Sequence, residues 1–247
     1  MKAIVLAGGL GTRLRSVVNQ VPKPMAPVDG KPFLEYLLSY WLEQGVDSFI
    51  LSIGYLGDLV VEHFGESYGT ASIRYVQEES LLGTGGALLK SLEALREEET
   101  VLLLNGDTLF KVDLGEFLSF HRSARSEFSL SLFRSSDPRY AGVDVDGMGR
   151  VLGVGGDASP GERLVNGGVY LLEKRTFVES GGNCESPCSL ESDILPDFVR
   201  AGYPVFARLS GSFFIDIGVP DDYSRFEKLV RTGERNFSNR PHSNIEE

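Results

Sequence analysis

Residues 4–14, Ile4-Val-Leu-Ala-Gly-Gly-Leu-Gly-Thr-Arg-Leu14, run an apolar strand straight into a glycine-rich bend that carries Arg13. Val21-Pro-Lys-Pro-Met-Ala-Pro27 follows, with Lys23 clamped between two prolines. Gly8, Gly9 and Gly11 admit positive φ and a close approach of backbone to ligand. Successive N–H groups turned one way form a nest for anions. Thr12 offers a hydroxyl and Arg13 a planar, permanently charged fork suited to phosphate oxygens. Pro22 and Pro24 stiffen the backbone around Lys23, so its ammonium loses less freedom on gripping an anion. The bend is therefore read as a polyphosphate holder. It lacks the third glycine of a dinucleotide fingerprint and the Gly-Lys-Ser/Thr of a P-loop.

Outward from this bend, apolar runs alternate with helical patterns, the signature of an α/β domain with a mainly parallel sheet. Strands are expected near 2–7, 48–53, 72–77 and 100–105. Helices are expected near 32–44, 56–64, 85–95 and 113–122, the last capped by Asp113. Phe33, Leu34, Leu37, Leu38, Trp41 and Leu42 form one apolar helix face that reads as core. The second half predicts short strands at 128–133, 142–146, 151–154 and 166–172, with a hairpin turn at Asp146-Gly-Met-Gly149. Helical stretches near 190–201 and 220–230 follow. The expectation is one domain over residues 1–232, about 1–125 holding nucleotide and 126–232 holding sugar. A polar, unpatterned tail occupies 233–247.

Two acids stand out. Leu102-Leu-Leu-Asn-Gly-Asp-Thr108 is a buried strand ending in Asp107, at the strand end where open α/β sheets bind ligands. Asp216 lies inside Phe213-Phe-Ile-Asp-Ile-Gly218, and a carboxylate in so apolar a run is costly unless paired or bound to a cation. Brought together, the two would suit Mg²⁺, a hard ion that prefers oxygen. Gln77-Glu-Glu-Ser-Leu-Leu-Gly-Thr-Gly-Gly-Ala87 is a second glycine-rich strand-to-helix passage.

Leu6–Leu14 together with Pro22-Lys-Pro24 resembles the sugar-1-phosphate nucleotidyltransferases, from Met1 to about Val230. The nearest likeness is to short bacterial members that use GTP and D-glycero-α-D-manno-heptose 1-phosphate. The resemblance implies a Rossmann-like mixed, mainly parallel sheet flanked by helices, of the nucleotide-diphospho-sugar transferase type. It implies that Leu6, Ala7, Gly8, Gly9, Gly11, Thr12, Arg13 and Asn105 meet the nucleotide. Gln77, Gly83, Thr84, Gly85 and Gly86 would hold its base. Gly142, Asn166, Gly168 and Glu191 would meet the sugar, Gly142 and Gly168 through backbone. Arg13, Lys23, Asp107 and Asp216 would carry catalysis, with Mg²⁺ on the two aspartates. A role in nucleotide-sugar supply for cell-surface polysaccharide goes with that branch. Uridylyl or thymidylyl transfer to another sugar 1-phosphate, such as N-acetylmuramate 1-phosphate or a hexose 1-phosphate, remains the alternative. One departure is visible: many relatives carry Glu-Lys-Pro before the Asn-x-Gly strand, whereas this chain has Gly153-Val-Gly-Gly-Asp157. Arg163 is the nearest candidate to replace that lysine.

Composition bounds the rest. At 247 residues and 42% hydrophobic content the chain supports a soluble core, and no run approaches the length of a membrane span. A net charge of -11 argues against nucleic-acid binding and leaves substrate attraction to local cations. No secretory leader is apparent, so the cytoplasm is expected, as a monomer or small homo-oligomer. Cys184 and Cys188 are expected as free thiols in a reducing compartment, and zinc has little support.

Overall fold

The structure is a computed structural model that describes residues 1–14, 17–18, 20–95, 100–156, 161–179, 187–210 and 213–233. Strand β1 (Lys2–Leu6) is followed by β2 (Pro27–Val28), β3 (Lys31–Pro32) and helix α1 (Phe33–Glu43). Next come β4 (Ser48–Ile53), α2 (Gly57–Phe64), β5 (Ser67–Tyr68), β6 (Ala71–Gln77) and α3 (Gly83–Glu93). The strands β7 (Thr100–Asn105) and β8 (Thr108–Phe110) then lead to α4 (Leu114–Ser123). Four strands follow: β9 (Phe128–Ser135), β10 (Gly142–Val145), β11 (Val151–Gly156) and β12 (Arg163–Glu173). The chain ends in α5 (Lys174–Glu179), α6 (Leu195–Arg200), β13 (Val205–Leu209), β14 (Phe214–Asp216) and α7 (Pro220–Arg231).

Ten strands make one sheet in the order β11-β10-β12-β7-β1-β4-β6-β5, with β9 and β13 branching from β12. The centre is parallel: β1 pairs with both β4 and β7, and β4 with β6. Antiparallel β12 joins β7 to β9. The fold is thus a mixed, mainly parallel sheet with helices packed on it. Ala3 and Val5 of β1 enter one core layer with Phe33, Trp41 and Phe49, while Ile4 enters the other with Leu88, Phe128 and Tyr170. Burial on both faces explains why the central strands read as unbroken apolar runs.

The expected strands at 48–53 and 100–105 are β4 and β7. The Asp113 carboxylate accepts the Glu116 N–H at 2.8 Å, capping α4. Helix α3 starts at Gly83, two residues before expectation, and the helix expected over 190–201 opens as a π-turn, Leu190–Ile194, before α6. The strand expected at 166–172 extends over Arg163–Glu173, with an irregularity between Asn166 and Tyr170. Strands β8 and β13 and helix α5 had no counterpart in the sequence reading. The tail after Gly233 lies outside the described residues.

Candidate active site

The two acids meet because β8 and β14 form a two-stranded antiparallel ribbon with Asp216 opposite Thr108. The Ile217 N–H donates to the Asp107 carbonyl at 3.0 Å, locking that register past the strand ends. Lys23 reaches into the same spot: its Nζ donates to Asp107 Oδ2 at 2.5 Å and to Asp216 Oδ1 at 3.5 Å. Thr108 Oγ1 donates to the other Asp107 oxygen at 3.1 Å, and the Gly218 N–H to Asp216 Oδ1 at 2.7 Å. Burial pushes the Asp107 carboxyl up, but the Lys23 ammonium outweighs it and holds the group below its ordinary value. Asp216 goes the other way, raised by burial and then by the charge of Asp107. A second cation is therefore electrostatically wanted beside this pair. Asp107 and Asp216 offer carboxylate oxygens side by side around one ammonium, a donor set of the chemistry that would fit Mg²⁺. Among the described residues no three His, Cys, Asp or Glu converge on one point.

Above the pair lies a cleft of about 300 Å³, the size of a small-ligand site. Its wall is Leu6, Ala7, Gly8, Gly9, Gly11, Thr12 and Arg13 from the end of β1, joined by Lys23, Asn105 and Asp107. Among the described residues, the amides of Gly8, Gly9, Gly11 and Thr12 donate to no backbone carbonyl, as a nest for phosphate oxygens requires. Gly11 has φ +57°, and a Cβ there would stand 2.8 Å from Cβ of Lys23. Glycine thus lets the bend lie directly on the Lys23 turn, where Met25 N–H bonds the Pro22 carbonyl at 2.8 Å.

Gly83 and Thr84 also line the cleft. Gly85 and Gly86 are instead buried in the first turn of α3, where the Gly85 N–H donates to the Cys188 carbonyl at 2.9 Å. Gln77 is not among the lining residues: its side chain is exposed and donates to the Gly54 carbonyl at 3.4 Å. The lining residue is its neighbour Glu78. One carboxylate oxygen of Glu78 lies against Gly8, where a Cβ would come within 2.1 Å, and accepts the Ser52 hydroxyl at 3.0 Å. Burial raises its pKa. Sequence reading passed over Glu78 because the adjacent glutamine drew the base-reading role. The available signal was the end of β6, where the strand's alternation stops and the side chain turns into the cleft.

The residues expected on the sugar side gather beside Asn105. Gly168, at φ +70°, packs on the Asn105 amide, and its N–H donates to Asn166 Oδ1 at 3.0 Å. Gly142 pairs with Val165, one residue before Asn166. Glu191 accepts Thr84 Oγ1 at 3.0 Å and Tyr170 OH at 2.9 Å, so its carboxylate already bridges two elements. Arg163 is engaged with the segment before β10. Its guanidinium donates to the carbonyls of Tyr140 at 3.0 Å and Asp137 at 2.7 Å, tying down that loop.

The free thiol expected at Cys188 is overturned: this residue is disulfide-bonded, while Cys184 lies outside the described residues. No helix among the described residues is long and apolar enough to cross a membrane.

Comparison with known proteins gives the family and the fold. The family model described as nucleotidyl transferase covers residues 2–233. The D-glycero-alpha-D-manno-heptose 1-phosphate guanylyltransferase of Aneurinibacillus thermoaerophilus is 41% identical, over 94% of this chain and 99% of that one. The enzyme of the same name from Campylobacter jejuni is 37% identical, over 92% and 98%. Among solved structures, HddC from Yersinia pseudotuberculosis complexed with GMP-PN superposes with a TM-score of 0.80 at 32% identity, covering 93% of this chain and 99% of that one. Glycine nest, lysine turn and paired aspartates thus sit on a shared fold, and the chain belongs to the nucleotidyl transferase family.

Proposed function

We propose that this protein transfers a guanylyl group from GTP to a sugar 1-phosphate, with D-glycero-α-D-manno-heptose 1-phosphate as the sugar. The observation that carries the reaction class is the contact of Lys23 with both Asp107 and Asp216 at the foot of the glycine nest. An oxygen of the sugar phosphate attacks the α-phosphorus, the bond from that phosphorus to the α–β bridging oxygen breaks, and pyrophosphate leaves. The nucleophile is already an anion, so no base is needed; the work is alignment and charge neutralisation. Arg13 and the amides of the bend hold the departing pyrophosphate, and Lys23 bridges the two reacting phosphates. Asp107 and Asp216 would hold Mg²⁺, which takes one or two carboxylates and completes its shell with water and phosphate. When bound, the ion screens charge between the two polyanions.

Guanine is favoured by Glu78 as well as by the names of the relatives. A carboxylate has about four acceptor positions, and Ser52 and the Leu82 backbone use only part of them. Guanine presents two adjacent N–H donors along one edge, which a carboxylate accepts as a pair; uracil and thymine present one. Nucleoside triphosphates are cytoplasmic, and that is where we place the protein, as a monomer or small homo-oligomer. The test crosses four nucleoside triphosphates with several sugar 1-phosphates and follows pyrophosphate release. GTP with the heptose phosphate is expected to turn over fastest; turnover with UTP but not GTP would overturn the guanylyl assignment.

A further inference from the structure

Tyr170 is fully buried between the two halves of the site, and its hydroxyl makes every bond a phenol can make. It donates to Glu191 Oε1 at 2.9 Å, accepts Asn166 Nδ2 at 2.6 Å, and is also bonded by the Asn105 side chain. Each partner leads somewhere different. Asn105 lines the cleft two residues before Asp107. Asn166 fixes the backbone of Gly168 on the sugar side. Glu191 passes the connection on through its second oxygen to Thr84 Oγ1 at 3.0 Å, in the first turn of α3 that lines the nucleotide cleft. Thr84 Oγ1 in turn accepts the Leu190 N–H at 2.8 Å, and Ser189 Oγ donates to Glu191 at 3.2 Å.

Removing one partner from a buried polar network is costly, the more so here because Asn105 Oδ1 is already buried without a partner. Nothing in the core requires a hydroxyl at position 170: the ring packs edge-on against Phe128, and phenylalanine would fill the same space. We propose that Tyr170 is a positioning residue for the transfer, holding the Asn105 and Asn166 amides in one orientation and registering them, through Glu191, against Thr84 in the first turn of α3. This rests on the assignment of residues 166–168 to the sugar side. Without the hydroxyl, the two amides and Glu191 Oε1 each lose a partner. The sugar phosphate should then be held less well; nucleotide, gripped chiefly by the glycine nest and Arg13, should be weakened less, through Asn105 and Thr84 alone.

The experiment compares wild type and Tyr170→Phe by pyrophosphate release and by binding of a non-hydrolysable GTP analogue. The KM for sugar 1-phosphate is expected to rise about tenfold, the scale of one buried group left unpaired. The analogue's affinity should fall by a clearly smaller factor, about two- to threefold, since Asn105 and Thr84 also line its cleft while the glycine nest keeps its own contacts. Glu191→Gln keeps the shape and an acceptor oxygen, so it should move the same KM in the same direction by a smaller factor. It also serves if Tyr170→Phe does not fold. In the double variant the two effects should be less than additive, because both lie on one connection. An unchanged sugar KM, or equal losses for both substrates alongside a lower melting temperature, would overturn the inference and leave the function standing. Absence of turnover by the wild type with every substrate pair would strike the function itself, and this inference with it.

Discussion

The parallel half and the antiparallel half of the sheet build their walls of the cleft in opposite ways. At the end of β1 the site offers backbone amides that, among the described residues, have no carbonyl partner, and at the end of β7 charges set against each other, Lys23 between Asp107 and Asp216. Along β12 the candidate groups are neutral or paired and bonded to one another: Asn166 to Tyr170, Tyr170 to Glu191, Arg163 to loop carbonyls. A polyanion is best met by charge and unpaired donors, which gain most when the ligand arrives. A polyol is better met by a pre-set lattice of amides and carboxylates, which loses little freedom on binding. Under the proposed function the two walls would meet the two ends of one nucleotide sugar.

The sharpest test of that contrast sets a charge deletion in one half against an amide deletion in the other. Asp107→Asn should lower kcat about 10²–10³-fold, the scale of losing one transition-state electrostatic contact. Arg13→Ala should act in the same direction. Asn166→Ala should act chiefly on the sugar KM. If steady-state pyrophosphate release showed Asp107→Asn near full turnover, the electrostatic half of the comparison would be broken.

The seam between the halves carries the next effect. Gly83 has φ +73°, and a Cβ on it would sit 2.2 Å from the Cys188 carbonyl oxygen. Neither backbone can yield cheaply, since Leu82 and Gly85 are hydrogen-bonded to the same segment. Gly83→Ala should cost about 1–3 kcal/mol, which for a chain of this size lowers the melting temperature by a few degrees per kcal/mol. An unchanged thermal midpoint would show that the seam is looser than drawn.

Smaller still is the effect at the base. Glu78→Gln replaces a pair of acceptors with one acceptor and one donor, so it should reduce the preference for GTP over UTP about tenfold. The ratio of kcat/KM values for the two nucleotides measures it, and an unaltered ratio would remove Glu78 from base selection.

The contrast between the halves also explains what could be read from sequence. Strands buried on both faces, such as Ile4 between Ala3 and Val5, read as apolar runs whatever surrounds them. An acid in such a run, Asp216, announces itself by its cost. Helix α1 was legible from the spacing of Leu34, Leu37, Leu38 and Trp41. Strand β8 is three residues long, too short for any period, and β13 was lost behind Gly202-Tyr-Pro204. Glu78 and Tyr170 were hidden for a different reason. Their roles depend on partners far along the chain: Gly8 and Ser52 for the first, Asn105 and Glu191 for the second. No local pattern encodes such meetings. The free thiol expected at Cys188 failed in the same way, since spacing alone does not reveal which thiols are bonded.

The gentlest prediction concerns the end of the sheet away from the cleft, where the antiparallel half holds a titrating group inside its network. His121 is buried on α4, with Nδ1 2.7 Å from the Ser129 hydroxyl and Nε2 3.0 Å from Glu173 Oε1. Burial depresses its pKa despite the hydrogen bond and charge of Glu173 and the charge of Glu127; the Arg122 charge adds to the depression. In the unfolded chain the imidazole takes a proton near pH 6.5, whereas in the fold it resists until lower pH. Between those two points the unfolded state binds more protons. Stability contributed by the neutral ring is therefore present above about pH 6.5 and lost as pH falls toward the depressed folded value. Thermal midpoints of the wild type should decline over that window, and His121→Gln, which keeps a neutral hydrogen-bonding side chain, should flatten the decline. Pyrophosphate release at neutral pH should be unaffected, because the residue lies on β7's Thr100 side of the sheet, joined through Glu173, and not at the Asn105 end. A variant whose midpoint falls with acid as steeply as the wild type's would assign the loss to the paired carboxylates of the cleft instead.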